Sequence, residues 1–169
     1  MKKQYLYFLI AAVFIGATLY GFIGDDGRAQ LQSMVPFRRS VATETATVRF
    51  NDVTVAADVA STPSQLSRGL SGRDSLSADR GMLFILGQDS TAAFWMKDMK
   101  FPIDIIWIHD DTVVDIDADV PVASGTPPLY TPVSPVNYVV EVNAGFAETH
   151  HIAIGSSVAI IVDPVRKPY

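Results

Sequence analysis

Two carboxylates lie inside strongly apolar segments of the sequence and are the first residues whose chemistry needs explaining. Asp104 falls within residues 102–106, Pro-Ile-Asp-Ile-Ile, and Glu141 falls within residues 138–143, Tyr-Val-Val-Glu-Val-Asn. An acid in such surroundings is costly unless it finds a partner. Hydrolysis by acid–base catalysis also uses a pair of carboxyls, one protonated and one ionised, whose pKa values differ because their environments differ. No complete catalytic set is recognisable, so Asp104 and Glu141 are the only catalytic candidates, and the sequence does not determine whether they meet.

Arginines are the natural partners for Asp104, because a guanidinium can pair with a carboxylate through two hydrogen bonds. Arg68 and Arg73 lie upstream in Arg-Gly-Leu-Ser-Gly-Arg. They could bind Asp104 in a structural ion pair, or line a polar pocket with Asp104 and Glu141. Strict alternation places Asn143 on the strand face of Glu141. The structural ion pair is the favoured interpretation, since buried pairs more often organise a fold than catalyse.

An aromatic residue beside a lysine is the second candidate for binding. Successive residues of a strand point to opposite faces, so Phe94 and Met96 share one face and Trp95 and Lys97 share the other. If the first pair enters the core, Trp95 can stack on a sugar or peptide while Lys97 holds an anion. A tryptophan packed under a loop is the favoured alternative, because large aromatics are mostly buried. Tyr130, in a proline-rich segment, completes this candidate surface.

Metal coordination has little support in the sequence. Asp115, Asp117 and Asp119 alternate along one predicted strand, but the Gly and Glu of an EF-hand loop are missing, so a solvated strand face explains them. The three histidines are not spaced to chelate one ion, and there is no cysteine. We therefore predict no metal and no cofactor.

Short apolar runs separated by turn signals predict the elements that position these residues. The residues Thr62-Pro63-Ser64-Gln65 combine a capping box with a proline at the first helical position, and predict a helix that ends near Gly69 or Gly72. One further helical turn is predicted within residues 144–150. Strands are predicted at residues 46–50, 53–59, 82–86, 92–97, 103–109, 113–120, 137–143, 152–154 and 158–162. This pattern is typical of an all-β sandwich or barrel, mostly antiparallel, with one or two short helices.

An apolar segment precedes this domain. Residues 5–23 carry no charge and have the length of a membrane-spanning helix. We predict a cytoplasmic N-terminus at residues 1–4, a transmembrane anchor at 5–23, a linker at 24–44 and a β domain at 45–169, outside the cytoplasm. The alternative is a cleaved signal peptide that leaves the domain secreted, since Gly21 and Gly24 suit a cleavage site.

The net charge of the residues predicted to lie outside the cytoplasm limits their possible partners. Lys2 and Lys3 precede the apolar segment, and the rest of the chain has 11 basic and 18 acidic residues, a net charge of −7. Phosphate backbones require a basic face, so nucleic acid is not an expected partner. The expected partners are the membrane, through residues 5–23, and an envelope ligand or protein.

Several short motifs, taken in order, resemble the domain-of-unknown-function family 192, an uncharacterised group of bacteria and archaea. They are residues 68–73 (RGLSGR), 81–84 (GMLF), 94–97 (FWMK), 102–106 (PIDII), Pro121, Tyr130 and residues 140–145 (VEVNAG). The resemblance implies a compact β-sandwich-like domain, commonly behind a signal peptide or membrane anchor. It implies no established activity. The cysteine pair that the family often carries is absent, with Val122 and Pro127 at the matching positions.

Two functions remain open from the sequence. The favoured hypothesis is a membrane-tethered, extracytoplasmic binding module without catalytic activity. The alternative is an envelope hydrolase, acting on a saccharide, that uses Asp104 and Glu141. The candidate ligand-binding residues are Arg68, Arg73, Trp95, Lys97, Asp104, Tyr130, Glu141 and Asn143.

Overall fold

The computed structural model of the protein describes residues 44–123 and 125–163. The predicted cytoplasmic N-terminus, the anchor at residues 5–23 and almost all of the linker lie outside these residues. Within them, no helix has the length and apolar character needed to cross a bilayer.

Nine strands and two short helices make up the described part of the chain. They are β1 Thr45–Phe50, β2 Val53–Ala60, α1 Pro63–Arg68, β3 Arg80–Ser90, β4 Phe94–Trp95, β5 Ile103–His109, β6 Thr112–Val120, β7 Leu129–Tyr130, β8 Val136–Asn143, α2 Phe146–Thr149 and β9 Val158–Val162. The predicted all-β class with two short helices is confirmed.

Seven strands form one curled sheet in the order β6-β5-β8-β3-β2-β1-β9. All neighbours are antiparallel except β2 and β3, which are parallel and connected through α1. At one end the two outer strands meet: Thr112 and Ser157 form a β-bridge, and the Val158 amide donates to the Asp111 carbonyl at 2.7 Å. The sheet is therefore a partly closed barrel, and the sandwich of two facing layers that the sequence also allowed is not seen.

Residues at successive positions of a strand point to opposite faces, and the central strands β3, β5 and β8 bury side chains on both faces of the sheet. One core contains residues of all seven strands, as the interior of a curled sheet does, and α2 packs against it through Phe146 and Ala147. The other core lies on the outer face of β3, β5 and β8, around Phe84, Ile105 and Trp107. We call these the inner core and the outer core.

The outer core is covered by α1, by the residues that follow it, and by a ribbon of β4 and β7. The start of α1 is the predicted capping box: the Thr62 hydroxyl accepts from the Gln65 amide, and the Gln65 side chain accepts from the Thr62 amide at 3.0 Å. Gly69 caps the other end with a positive φ of 49°.

Some predicted boundaries are wrong. Residues 152 and 153 are irregular and residue 154 begins a turn, so the strand predicted at residues 152–154 does not form, and the strand predicted at residues 92–97 is reduced to Phe94–Trp95. Its partner Leu129–Tyr130 lies in the proline-rich segment, where no strand was predicted. Two-residue strands carry too little periodicity to be recognised from sequence, since the alternating pattern is read over about four to eight residues.

Candidate functional site

Asp104 is fully buried and is satisfied by backbone amides rather than by an arginine. One carboxylate oxygen accepts from the amides of Asp119 (2.8 Å) and Gly145 (3.1 Å), and the other accepts from Ala147 (2.8 Å). The predicted Arg68 or Arg73 partner is therefore wrong, because three N–H groups already satisfy the carboxylate. Asp104 joins β5 to the end of β6 and the start of α2.

Arg73 binds a different acid, which the sequence reasoning did not single out. Its Nη2 lies 2.7 Å from Asp58 Oδ2, and Arg80 pairs with the other oxygen of the same carboxylate. Asp58 lies on β2, beside the point where β3 begins. This ion pair fixes the connection that follows α1, and it engages Arg73 away from both Asp104 and Glu141.

Asp104 and Glu141 point to opposite faces of the sheet. In the register of β5 with β8, Asp104 lies opposite Val142 and Ile105 lies opposite Glu141. Directly opposed residues of an antiparallel pair share a face. Val142 belongs to the inner core and Ile105 to the outer core. The two carboxyls therefore do not share a site.

A pocket of about 310 Å³ opens on the outer face. One wall consists of α1 and the residues after it, and the other consists of β4 and the two residues before it. Eight of its thirteen lining residues are apolar, including Leu66, Leu86 and Phe94, so the pocket favours an apolar ligand body. Glu141 and Arg68 are its charged lining residues.

Glu141 lies in this pocket and has the most unusual environment of any residue in the described part. It is only 6% exposed, and its Oε2 is buried without a hydrogen-bond partner in the described structure. Desolvation by burial raises the pKa of this carboxyl to about 8, so that it is mostly protonated at neutral pH. The backbone of Gly69 lies against it, since a Cβ at Gly69 would be 3.8 Å from Oε2.

Trp95 and Lys97 both reach solvent, as alternation allows. Trp95 is 47% exposed, Met96 is buried, and Lys97 Nζ lies 5.6 Å from the centre of the Trp95 ring. The favoured expectation of a buried Trp95 is therefore wrong. The rings of Phe94 and Trp107 pack edge to face at a centroid distance of 5.2 Å, which fixes β4 to the sheet and leaves Trp95 at the pocket.

Tyr130 and Asn143 lie outside the pocket lining. Tyr130 is opposite Phe94 in the β4–β7 ribbon and packs on the outer core, whereas Leu129 is opposite Trp95. The Asn143 amide donates to the carbonyls of Leu76 (3.0 Å) and Ser77 (3.1 Å). Its observed role is to hold the loop before β3.

Two hydrogen bonds join the two walls of the pocket. The Ser71 hydroxyl donates to the Lys97 carbonyl at 2.8 Å, and the Gly72 amide donates to the Asp98 carbonyl at 2.9 Å. Sequence reasoning missed Ser71 and also the apolar walls. The glycines at 69 and 72 were noted as helix caps, and their spacing was the available signal for a sharp turn here.

Two of the three aspartates that alternate along β6 hydrogen-bond within the fold, and Asp119 is exposed. Asp115 accepts from the amides of Ile116 (2.9 Å) and Val133 (3.0 Å), and Asp117 accepts from the Trp107 indole N–H at 2.8 Å. Over residues 44–123 and 125–163, no group of three or more His, Cys, Asp or Glu side chains is arranged to hold a metal ion.

Two solved structures have a fold similar to that of this chain. One, described as a candidate transcription regulator from Sinorhizobium meliloti 1021, is 28% identical with a TM-score of 0.62, over 70% of this chain and 93% of that one. Another, a protein of unknown function from Novosphingobium aromaticivorans DSM 12444, is 29% identical with a TM-score of 0.59, over 68% of this chain and 83% of that one. The comparison with curated proteins finds no significant match.

A protein-family model matches most of the chain and identifies its family. Residues 45–160 match the model of DUF192, described as an "Uncharacterized ACR". The protein belongs to the DUF192 family, as its motifs suggested. The match includes every strand from β1 to β8 and both helices, and therefore the whole lining of the pocket.

Proposed function

We propose that this protein is a binding module that takes up a small, largely apolar ligand in the Glu141 pocket without changing it chemically. The observation that carries the proposal is the buried, unpartnered Oε2 of Glu141. A buried polar atom without a partner costs roughly 1–3 kcal/mol. Oε2 itself is closed to solvent, so a ligand that turns the carboxyl toward the pocket and supplies the missing hydrogen bond recovers that free energy. A purely structural core would instead be more stable with an apolar residue at this position.

The size and lining of the pocket indicate the class of ligand. Its volume of about 310 Å³ lies at the small end of ligand sites. Apolar side chains make up most of the wall, and Trp95 offers a ring at the opening. A saccharide would bring many hydroxyl groups to a surface with few polar partners, so a flat or aliphatic molecule with one polar end fits better.

The hydrolase alternative finds no second carboxyl in the pocket. Glu141 is the only acid among the lining residues, and Asp104 lies on the opposite face with both oxygens bonded to backbone amides. Hydrolysis by a carboxylate pair needs both groups on the same substrate, separated by about 5–10 Å. The binding module is therefore the better-supported function.

A titration with small apolar molecules, each bearing one polar group, tests this function. Binding is followed through the backbone amide NMR signals of Gly69 and Ser71 and the indole signal of Trp95. We expect Ala92→Trp, which fills the pocket, to abolish these shifts, and Ala153→Trp, on an exposed position outside it, to retain them. Binding that survives Ala92→Trp unchanged would rule out this pocket.

We also propose that the domain is tethered to the membrane through residues 5–23 and faces the envelope or exterior, where it meets its ligand or a protein partner. The length of the uncharged segment and the two lysines before it support this orientation. Protease added to spheroplasts, but not to intact cells, should digest residues 45–169. Protection of the domain in spheroplasts would overturn the orientation.

Regulation of transcription, which the description of one structural neighbour names for that neighbour, is not what we propose for this chain. The net charge of −7 after Lys3 opposes contact with nucleic-acid phosphates. The pair Arg73 and Arg80 is already neutralised in part by Asp58. A filter-binding assay with duplex DNA at low salt should show no retention.

A further inference from the structure

The chemistry of the ligand's polar end follows from the pocket that we have proposed as a binding site. Its inner end holds Glu141, with one oxygen buried and unpartnered. Its apolar lining offers no side chain that could neutralise an ionised ligand group there, apart from Arg68, which is exposed. The polar group of the ligand must therefore be complementary to the Glu141 carboxyl alone.

The distribution of charge at the pocket argues against a cationic ligand. Arg68 lines the pocket, and Lys97 lies beside Trp95 with its Nζ 5.6 Å from the ring centre. Both cations stand at the exposed side, so an entering amine or amidinium would be repelled at the opening. It would also have to give up its hydration in an apolar pocket, where the carboxyl would have to ionise to pair with it.

The protonation state supports a neutral partner. Burial raises the pKa of Glu141 to about 8, which leaves a carboxylic acid at neutral pH. Such a group has one O–H donor next to one carbonyl acceptor. The complementary partner carries an acceptor next to a donor, as the C=O and N–H of an amide do. It forms two parallel hydrogen bonds once the side chain turns Oε2, which is closed to solvent in the described structure, toward the pocket.

We propose that the ligand of this pocket carries a neutral carboxamide or lactam that binds the Glu141 carboxyl, with a flat apolar body lying between Leu66, Leu86 and Trp95. The inference rests on the proposed function of the pocket. It specifies that the polar group of the ligand is neutral and that the ligand enters the pocket with its amide first. It also requires that Glu141 be protonated for binding.

Four molecules of nearly the same shape test this inference on the full chain: benzamide, benzamidine, benzoate and toluene. They present a neutral donor–acceptor pair, a cation, an anion and no polar group to the same site. Dissociation constants are measured from the NMR shifts of Gly69 and Trp95 between pH 6 and pH 10. We expect benzamide to bind most tightly, and its affinity to fall about tenfold per pH unit once the pH exceeds the pKa of Glu141, because one proton must be held for binding.

Two variants distinguish the contribution of the Glu141 proton to ligand affinity from that of the shape of the pocket. Glu141→Gln keeps a donor beside an acceptor but cannot titrate, so it should still bind benzamide while its affinity no longer changes with pH. Glu141→Leu should weaken benzamide roughly tenfold or more and leave toluene unaffected. Glu148→Gln, an exposed glutamate on α2, is the matched control and should retain the wild-type pH profile. If Glu141→Leu does not fold, the pH profile of Glu141→Gln decides.

The outcomes distinguish this inference from the function on which it rests. Tightest binding by benzamidine or benzoate, equal binding of toluene and benzamide, or a pH dependence that persists in Glu141→Gln would each overturn the amide partner while leaving a ligand-binding pocket. If none of the four molecules shifts the pocket signals at millimolar concentration, the pocket is not a small-ligand site, and both proposals fail.

Discussion

Glu141 and Asp104 show how two acids with similar sequence surroundings acquire different roles. Both lie in buried strands of the sheet. Three backbone amides satisfy Asp104, whereas Oε2 of Glu141 has no partner in the described structure and lies against a pocket. The difference arises from the elements that face each carboxyl: the end of β6 and the start of α2 direct amides at Asp104, whereas Glu141 faces the pocket between α1 and β4.

Glu141→Gln should alter how stability depends on pH. In the window from about 4.5 to about 8, Glu141 is ionised in the unfolded chain and protonated in the folded one. The unfolded state then binds fewer protons, so the free energy of unfolding falls as pH rises through this window. Relative to wild type, Glu141→Gln should gain stability between pH 5 and pH 8, by up to about 5 kcal/mol.

Urea unfolding of both proteins at pH 5, 6, 7 and 8 measures this difference. Other titrating groups are common to the two proteins and cancel in the comparison. Glu148→Gln, which changes an exposed glutamate, should follow wild type throughout. A stability difference that stays constant from pH 5 to pH 8 would mean that Glu141 is not held protonated by the fold.

Asp104→Ala should be strongly destabilising, by roughly 3–5 kcal/mol, because it leaves three buried amides without an acceptor. The free energy of unfolding from urea titration at pH 7 provides the measurement. Asp52→Ala, in the exposed turn between β1 and β2, is the control and should cost much less. A loss below about 1 kcal/mol for Asp104→Ala would contradict the role of Asp104 in joining β5, β6 and α2.

At the scale of elements, the segment that ends α1 forms the wall of the pocket. Gly69 has a φ of 49° and lies so near the outer core that a Cβ would come 3.2 Å from a Phe84 ring carbon. The connection then bonds to the residues after β4 through Ser71 and Gly72. The width of the pocket is therefore set by a short turn rather than by the helix itself.

Alanine at Gly69 and at Gly72 should separate backbone strain from loss of pocket space. Both glycines have positive φ, so each substitution is strained and should cost about 1 kcal/mol. Only at Gly69 does the added methyl meet Phe84 and Glu141, since nothing lies within 4 Å at Gly72. Gly69→Ala should therefore lose more stability and also weaken ligand binding, as urea unfolding and NMR titration would show. Equal effects of the two variants would contradict the placement of Gly69 in the pocket wall beside Phe84 and Glu141.

At the scale of the whole domain, the curled sheet encloses the inner core because its two outer strands, β6 and β9, approach each other at one end. The turn between β1 and β2 extends the β1–β9 pairing to Ser157, the residue that bridges to Thr112, since the Asn51 amide donates to the Ser157 carbonyl at 3.0 Å and the Asn51 side chain accepts from the Ser157 amide at 3.2 Å. Asn51 also has a positive φ of 49°, which asparagine tolerates better than most residues.

Asn51→Gly should weaken the closure without straining the turn, because glycine accepts the positive φ but cannot bind Ser157 through its side chain. We expect a loss of about 1 kcal/mol and faster hydrogen exchange at the amides of β9. Asp52→Gly, at the neighbouring position of the same turn, controls for added chain flexibility. Exchange in β9 that is unaffected by Asn51→Gly would show that the side chain does not contribute to the closure.

The sequence was sufficient where the signal was local or periodic. The alternation of Phe94, Trp95, Met96 and Lys97 correctly separated buried from exposed side chains, although buried Trp95 had been the favoured expectation. The capping box placed α1, because both of its hydrogen bonds form within four residues. The ordered motifs identified the family, and the all-β class followed from the spacing of apolar runs.

Tertiary structure alone decided which residues form the site. Alternation gives the faces of each strand separately, but only the register of β5 with β8 shows that Asp104 and Glu141 lie on opposite faces. Partners distant in sequence cannot be inferred from residue type: Arg68 and Arg73 are the candidate partners of Asp104 by sequence, but Arg73 binds Asp58 and backbone amides bind Asp104. The sequence around Trp95 thus indicates a binding surface, and the fold adds the pocket: β8, which is distant in sequence, brings Glu141 into the lining that Trp95 shares.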